Sequence, residues 1–238
     1  MTNHSLIAGV ISGNEEVKNI LTLAGSVAHE LRDCLAIIST CALVSEGKIS
    51  DIKRSVKSAD YLISNLQLQM RGIVSGKAVV EDFKRSSVLK DINDALEMYP
   101  FGVGEKGLIT VKADKTIDSG SGDFEYFGNP VLTVRVLYNL IKNSLRAIKN
   151  AGKGAVIISL KSGIKYNQLT FKDTATGIPK EFLPKIFEPY ESTMVSQGGT
   201  GIGLAFCKFV MKSYGGDISC TSVEGKFTEF VLSFPEIK

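Results

Sequence analysis

The sequence predicts an α+β chain in two parts: a helical hairpin that dimerises into a four-helix bundle, then an α/β sandwich. Three observations carry this. Apolar residues recur at heptad spacing through residues 14–75. Beyond residue 80, period-two strands alternate with amphipathic helices. Glycine, proline and aspartate cluster between those segments, where turns belong.

The first helix follows from Val17, Ala24, Leu31 and Ile38, with Ile20, Val27, Cys34 and Cys41 as the second line of one seam. "SEGKIS" interrupts it, Gly47 ending one helix and Ser50 capping the next. Ile52, Val56, Ala59, Ile63, Leu66, Met70 and Ile73 then repeat at spacings of four and three. Two antiparallel helices cannot cover two such stripes, so residues 14–75 are expected to form a homodimer. The domain division is 1–76 for the hairpin and 77–238 for the remainder. In that remainder "GLITVKAD", "DFEYFG", "AVIISLK", "YNQLTFK", "DISCTS" and "FTEFVLSF" are expected strands. "SVLKDINDALEMY", "PVLTVRVLYNLIKNSLRAIKNAG" and "GIGLAFCKFVMKSYGG" are expected helices, the last two ending on glycine. Helices with mostly antiparallel strands in this order suggest a sheet covered on one face. "GEKG", "DSGSGD" and "SQGGTG" are expected loops.

Composition excludes several functional classes. The chain has 238 residues and a net charge of +3 without a dense basic cluster, which argues against nucleic acid as a partner. Its longest mostly apolar run, "CLAIISTCALV", is too short and too polar for a membrane span. The N-terminus lacks the basic region of a secretory signal. Cys34, Cys41, Cys207 and Cys220 show no metal-ligand spacing and are expected to be reduced, consistent with a cytoplasmic location.

Three stretches offer chemistry. In "NLIKNSLRA", Asn139, Asn143 and Arg146 share one helical face, opposite Val134, Leu137, Ile141 and Ile148. Such a stripe is ordinarily a solvated face, yet a carboxamide oxygen can ligate Mg²⁺ and an arginine can pair with phosphate. In "FKDTATGIP", Asp173 closes a strand before a turn containing Gly177; it either organises that turn or accepts a hydrogen bond from an exocyclic amine. In "SQGGTGIGLAFCKF", Gly198, Gly199, Gly201 and Gly203 precede or open a helix, where bare backbone N–H groups suit an anion.

Taken in order, "VLYNLIKNSLRA", "FKDTATGIP", "IFEPYEST" and "GGTGIGLAFCKFVMKSYGGDI" resemble the ATP-binding domain of bacterial sensor histidine kinases, over essentially all of residues 81–238. Gyrase, chaperone and mismatch-repair ATPases share several of these boxes. The resemblance implies that Asn143 ligates Mg²⁺ with Asn139 as its companion, and that Arg146 lies on the same nucleotide-facing helix. It implies that Asp173 binds the adenine amine with Gly177 beside the base. Phe187 and Tyr190 match aromatic positions at the base of a lid running to Gly199. Gly199, Thr200, Gly201, Gly203 and Leu204 match the box along the phosphates. The C-terminal stretch resembles the subgroup that includes kinases for diffusible α-hydroxyketone autoinducers.

In this context "HELR" resembles the phosphoacceptor box on the hairpin of these kinases. His29 falls outside the apolar seam and has a ring nitrogen available at neutral pH. The resemblance implies that His29 accepts the γ-phosphoryl group of ATP, that Glu30 takes the released proton, and that an aspartate on a response-regulator receiver domain receives the phosphoryl group next. A degenerate kinase acting as a nucleotide-binding scaffold, and a gyrase- or chaperone-type ATPase, are the alternatives. Two departures bear on these. Arg32, Asp33 and Cys34 stand where the family continues Arg-Thr/Asn-Pro. Ala175 stands where the family turn has its first glycine, which is costly for alanine if that position needs positive φ.

Overall fold

The computed structural model describes residues 82–113, 122–188, 201 and 203–237. The expected hairpin and its dimer, with His29, Glu30 and Asp33, lie outside the described residues, as do Tyr190, Gly199 and Thr200.

The described elements run in the order β1 (Lys84–Ser87), α1 (Val88–Met98), a 3₁₀ turn (Glu105–Leu108), β2 (Ile109–Ala113), β3 (Glu125–Gly128) and α2 (Pro130–Ala151). There follow β4 (Val156–Lys161), β5 (Tyr166–Asp173), a 3₁₀ turn (Leu183–Lys185), α3 (Gly203–Ser213), β6 (Asp217–Val223) and β7 (Phe227–Pro235). Five strands form one mixed sheet in the order β2-β4-β5-β7-β6, parallel only between β2 and β4. The other pair, β1 and β3, makes a separate antiparallel ribbon, Lys84 opposite Gly128.

Local chemistry sets the helix ends. Ser87 caps α1 by accepting the Lys90 N–H at 3.0 Å. Asn129 caps α2, accepting from Val131 and Leu132 ahead of Pro130. Gly152 closes α2 in the left-handed region at φ 65°.

Alternation along the strands separates core from surface. Leu169, Phe171 and Asp173 of β5 face inward with Phe230, Leu232 and Phe234 of β7, while Gln168, Thr170 and Lys172 face outward. The outward face carries a Lys172–Glu229 ion pair, and among the described residues the helices cover the other face only. Helix α2 is the core's spine: Leu137, Leu140 and Ile141 are at most 1% exposed.

Three details differ from the sequence expectation. "DFEYFG" pairs outside the main sheet, with a strand the sequence did not announce because Lys84, Arg85, Ser86 and Ser87 have no apolar alternation. "GEKG" is largely a 3₁₀ turn, Glu105 fixing its start by accepting the Gly102 N–H at 2.7 Å. The polar stripe of α2 is half-buried, because α2 is flanked by both other helices and the sheet. Among the described residues no helix is long and apolar enough to cross a membrane.

Candidate nucleotide site

The α2 stripe supplies the first wall. Asn139, Asn143 and Arg146 occupy successive turns of its half-buried face. Asn139 meets the start of α3: a side-chain carbon on Gly203 would lie 3.4 Å from the Asn139 Oδ1. The Asn139 Nδ2 is buried and makes no hydrogen bond of good geometry among the described residues, beyond a weak contact with the Cys207 sulfur, which leaves donor capacity beside an opening helix. It adjoins Cys207, whose thiol burial pushes up to about 12, so that residue is inert filling. The N-terminus of α3 directs its dipole outward at Gly203, and Gly201 just before it has φ 66°. Leu204 follows in the first turn, half-buried.

Near Arg146, the Tyr99 ring packs 4.7 Å from both Tyr138 and Phe101. Burial raises the Tyr99 phenol well above its usual range, with the Arg146 charge opposing that rise.

The second wall is the end of β5. Asp173 is 3% exposed. Its carboxylate accepts the Ser144 hydroxyl at 2.9 Å and the Ala175 N–H at 3.2 Å. Burial raises its pKa, and these two donors, with the Thr228 backbone on the paired strand, pull it back. The turn that follows is braced from outside. Gly177 has φ 65°, and a side-chain carbon there would lie 2.2 Å from the Val223 carbonyl oxygen. Thr176 O accepts the Gly225 N–H at 2.6 Å, and Ser222 Oγ accepts the Ile178 N–H at 2.8 Å. The turn therefore rests on the β6–β7 hairpin.

Phe187 lies edge-on to Phe230 at 6.4 Å, with the Lys208 ammonium 5.2 Å from its ring centre. Lys208 is itself held by the Ile218 carbonyl and by Asp217. This ties the segment before Pro189 to α3 and β6.

The condition for strain at Ala175, a positive φ, is not met. Asp82 is the one non-glycine residue with positive φ among those described, so Ala175 adopts an ordinary conformation and buries its methyl to 2% exposure. Ser144 and Thr228 were not singled out in the sequence. The available signal for Ser144 was its place beside Asn143 on the sheet-facing side of a helix leading toward an acidic strand end.

Residues 128–238 match the family described as histidine kinase-, DNA gyrase B- and HSP90-like ATPase. Among curated proteins, the autoinducer 1 sensor kinase/phosphatase LuxN of Vibrio harveyi is 28% identical over 97% of this chain and 28% of its own length. The CAI-1 autoinducer sensor kinase/phosphatase CqsS of Vibrio cholerae is 28% identical over 94% of this chain and 35% of its own. Sporulation kinase D of Bacillus subtilis is 28% identical over 93% of this chain and 43% of its own. The chain thus spans less than half the length of these relatives. Among solved structures, the catalytic domain of histidine kinase ThkA matches the fold with a TM-score of 0.54 at 22% identity, over 65% of this chain and 98% of that one.

Proposed function

We propose that residues 128–238, which match the histidine kinase-, DNA gyrase B- and HSP90-like ATPase family, bind ATP and that the chain is the catalytic core of a sensor histidine kinase. The observation that carries the reading is the buried Asp173, held by the Ser144 hydroxyl and the Ala175 N–H at the foot of a turn in which only glycine fits at position 177. A buried carboxylate with spare acceptor capacity suits the exocyclic amine of adenine. Across from it, the α2 stripe and the α3 N-terminus suit phosphates.

The donor set also fits Mg²⁺. Among the described residues no cluster of three or more histidine, cysteine or acidic side chains forms a cage. A lone carboxamide oxygen from Asn143 is what a cation needs when phosphates and water complete its shell. Mg²⁺ bound there with the nucleotide supplies charge neutralisation at the phosphates. Arg146 adds a fixed positive charge, and Gly201 and Gly203 leave backbone N–H groups open to anions.

The transferred group goes to His29. Its ring nitrogen remote from the backbone attacks the γ-phosphorus in line; the bond to the β-γ bridging oxygen breaks and ADP leaves. Glu30 accepts the proton from the other ring nitrogen. The phosphoryl group next passes to an aspartate on a receiver domain, and residues 14–75 pair two chains. Labelled ATP tests this: wild type is expected to carry acid-labile, alkali-stable label, and His29→Gln to carry none. Label persisting in His29→Gln overturns the assignment. An ordinary backbone at Ala175 removes one of the two grounds for a degenerate kinase.

A further inference from the structure

We propose that Ser144 is a positioning residue for nucleobase selection, its hydroxyl aligning the Asp173 carboxylate for a single exocyclic N–H donor. This rests on the reading of the domain as an ATP site.

A serine inside a helix ordinarily donates to the carbonyl four residues earlier, here that of Leu140. Ser144 instead reaches out of α2 to Asp173 Oδ2 at 2.9 Å, with the two residues 1% and 3% exposed. In such a site a misplaced hydroxyl is costly, so the contact fixes both partners. The other donor comes from the turn, where the Ala175 N–H reaches Oδ1 at 3.2 Å, so helix and turn together set the carboxylate plane. An ionised carboxylate has about four acceptor positions. One on each oxygen is filled, which leaves room for an incoming N–H. A purine with an exocyclic amine supplies it; a purine with a carbonyl oxygen at that place sets lone pairs against lone pairs.

An ionised Asp173 accepts from Ser144. A protonated Asp173 keeps its carbonyl oxygen as an acceptor but presents an O–H donor on the other oxygen, where an incoming amine needs a lone pair. Removing the hydroxyl takes away a donor that favours the ionised form, so Asp173 then protonates at higher pH. Amine recognition needs the ionised form, and the acid-side loss of ATP binding moves upward in pH accordingly.

Calorimetry on the full chain tests this with ATP and with purine ribonucleoside triphosphate, which lacks the amine, between pH 5 and 8. Ser144→Ala is expected to weaken ATP about tenfold, the scale of a hydrogen bond to a charged group. It is expected to leave the amine-free nucleotide within about twofold and to raise the acid midpoint of ATP binding. Equal losses for both nucleotides, no loss for either, or an unmoved midpoint would overturn the role of Ser144 while leaving an ATP site intact. Wild type binding neither nucleotide would overturn the ATP reading and this inference together.

Discussion

At position 177 two constraints coincide: a left-handed backbone, and the Val223 carbonyl oxygen at 2.2 Å from any added side-chain carbon. The first costs alanine about 1–2 kcal/mol. The second cannot be relieved by rotating a side chain, since the obstacle is backbone. Gly177→Ala is therefore expected to reduce ATP affinity about tenfold or more by calorimetry. Two residues earlier the logic reverses. Ala175 has an ordinary φ and a buried methyl, so Ala175→Gly is expected to lower the melting temperature without tightening ATP. The difference between the two positions was invisible in the sequence, where both are small residues of one turn. Asp173 was legible through its place in an ordered set of boxes rather than from its strand end alone. Ser144 was not, because a serine's role depends on what faces it across the core.

At the scale of elements, the β1–β3 ribbon is joined to α1, α2 and the end of α3 by one buried polar chain. Tyr126 donates to Asp91, Tyr126 and Thr133 are 2.6 Å apart, and Thr133 lies 3.1 Å from the Tyr214 hydroxyl. Tyr214 donates to the Asn129 carbonyl at 2.7 Å, and Ser86 lies at the far end of Asp91. The chain has a consistent hydroxyl order for either state of Asp91. With the acid ionised, protons run from Thr133 to Tyr126 to Asp91; with it protonated, they run the other way. Burial lifts the Asp91 carboxyl to about 6, against the hydrogen bonds from Tyr126 and Ser86 and the charge of Lys90, with Asp94 adding to the rise. Folded Asp91 thus holds its proton more tightly than unfolded Asp91. Its contribution to stability is fully present below the unfolded value of 3.8 and is lost as pH rises through about 6. Asp91→Asn, neutral at every pH, is expected to gain about 1–2 kcal/mol over wild type at pH 8 and nearly nothing at pH 4. Urea midpoints at the two pH values check this; a constant difference would refute it. None of this ribbon was legible in "KRSS", where register comes from pairing with β3 rather than from apolar rhythm.

For the whole molecule, the three helices and the sheet were legible because each carries period or caps in its own residues. The site was legible only as an ordered set of boxes, each of them bland alone. The output of the chain turns on "HELRDC". The carboxylate of Asp33, four residues after His29 in the sequence, is expected to repel incoming phosphoryl oxygens. Autophosphorylation is expected to be intact and dephosphorylation of a phosphorylated regulator slow. Asp33→Ala is expected to leave that dephosphorylation no slower; a fast wild-type rate abolished by Asp33→Ala would contradict this. The hairpin tip at Glu224, Gly225 and Lys226 bears on anyone modifying the protein. Its exposure makes it the natural place to splice in a tag or a reporter domain. Yet Gly225 holds Thr176, and Val223 roofs Gly177. An insertion there would pry at the nucleotide turn from behind, so a surface that looks spare is a poor graft site and a ready handle for an engineered off-switch.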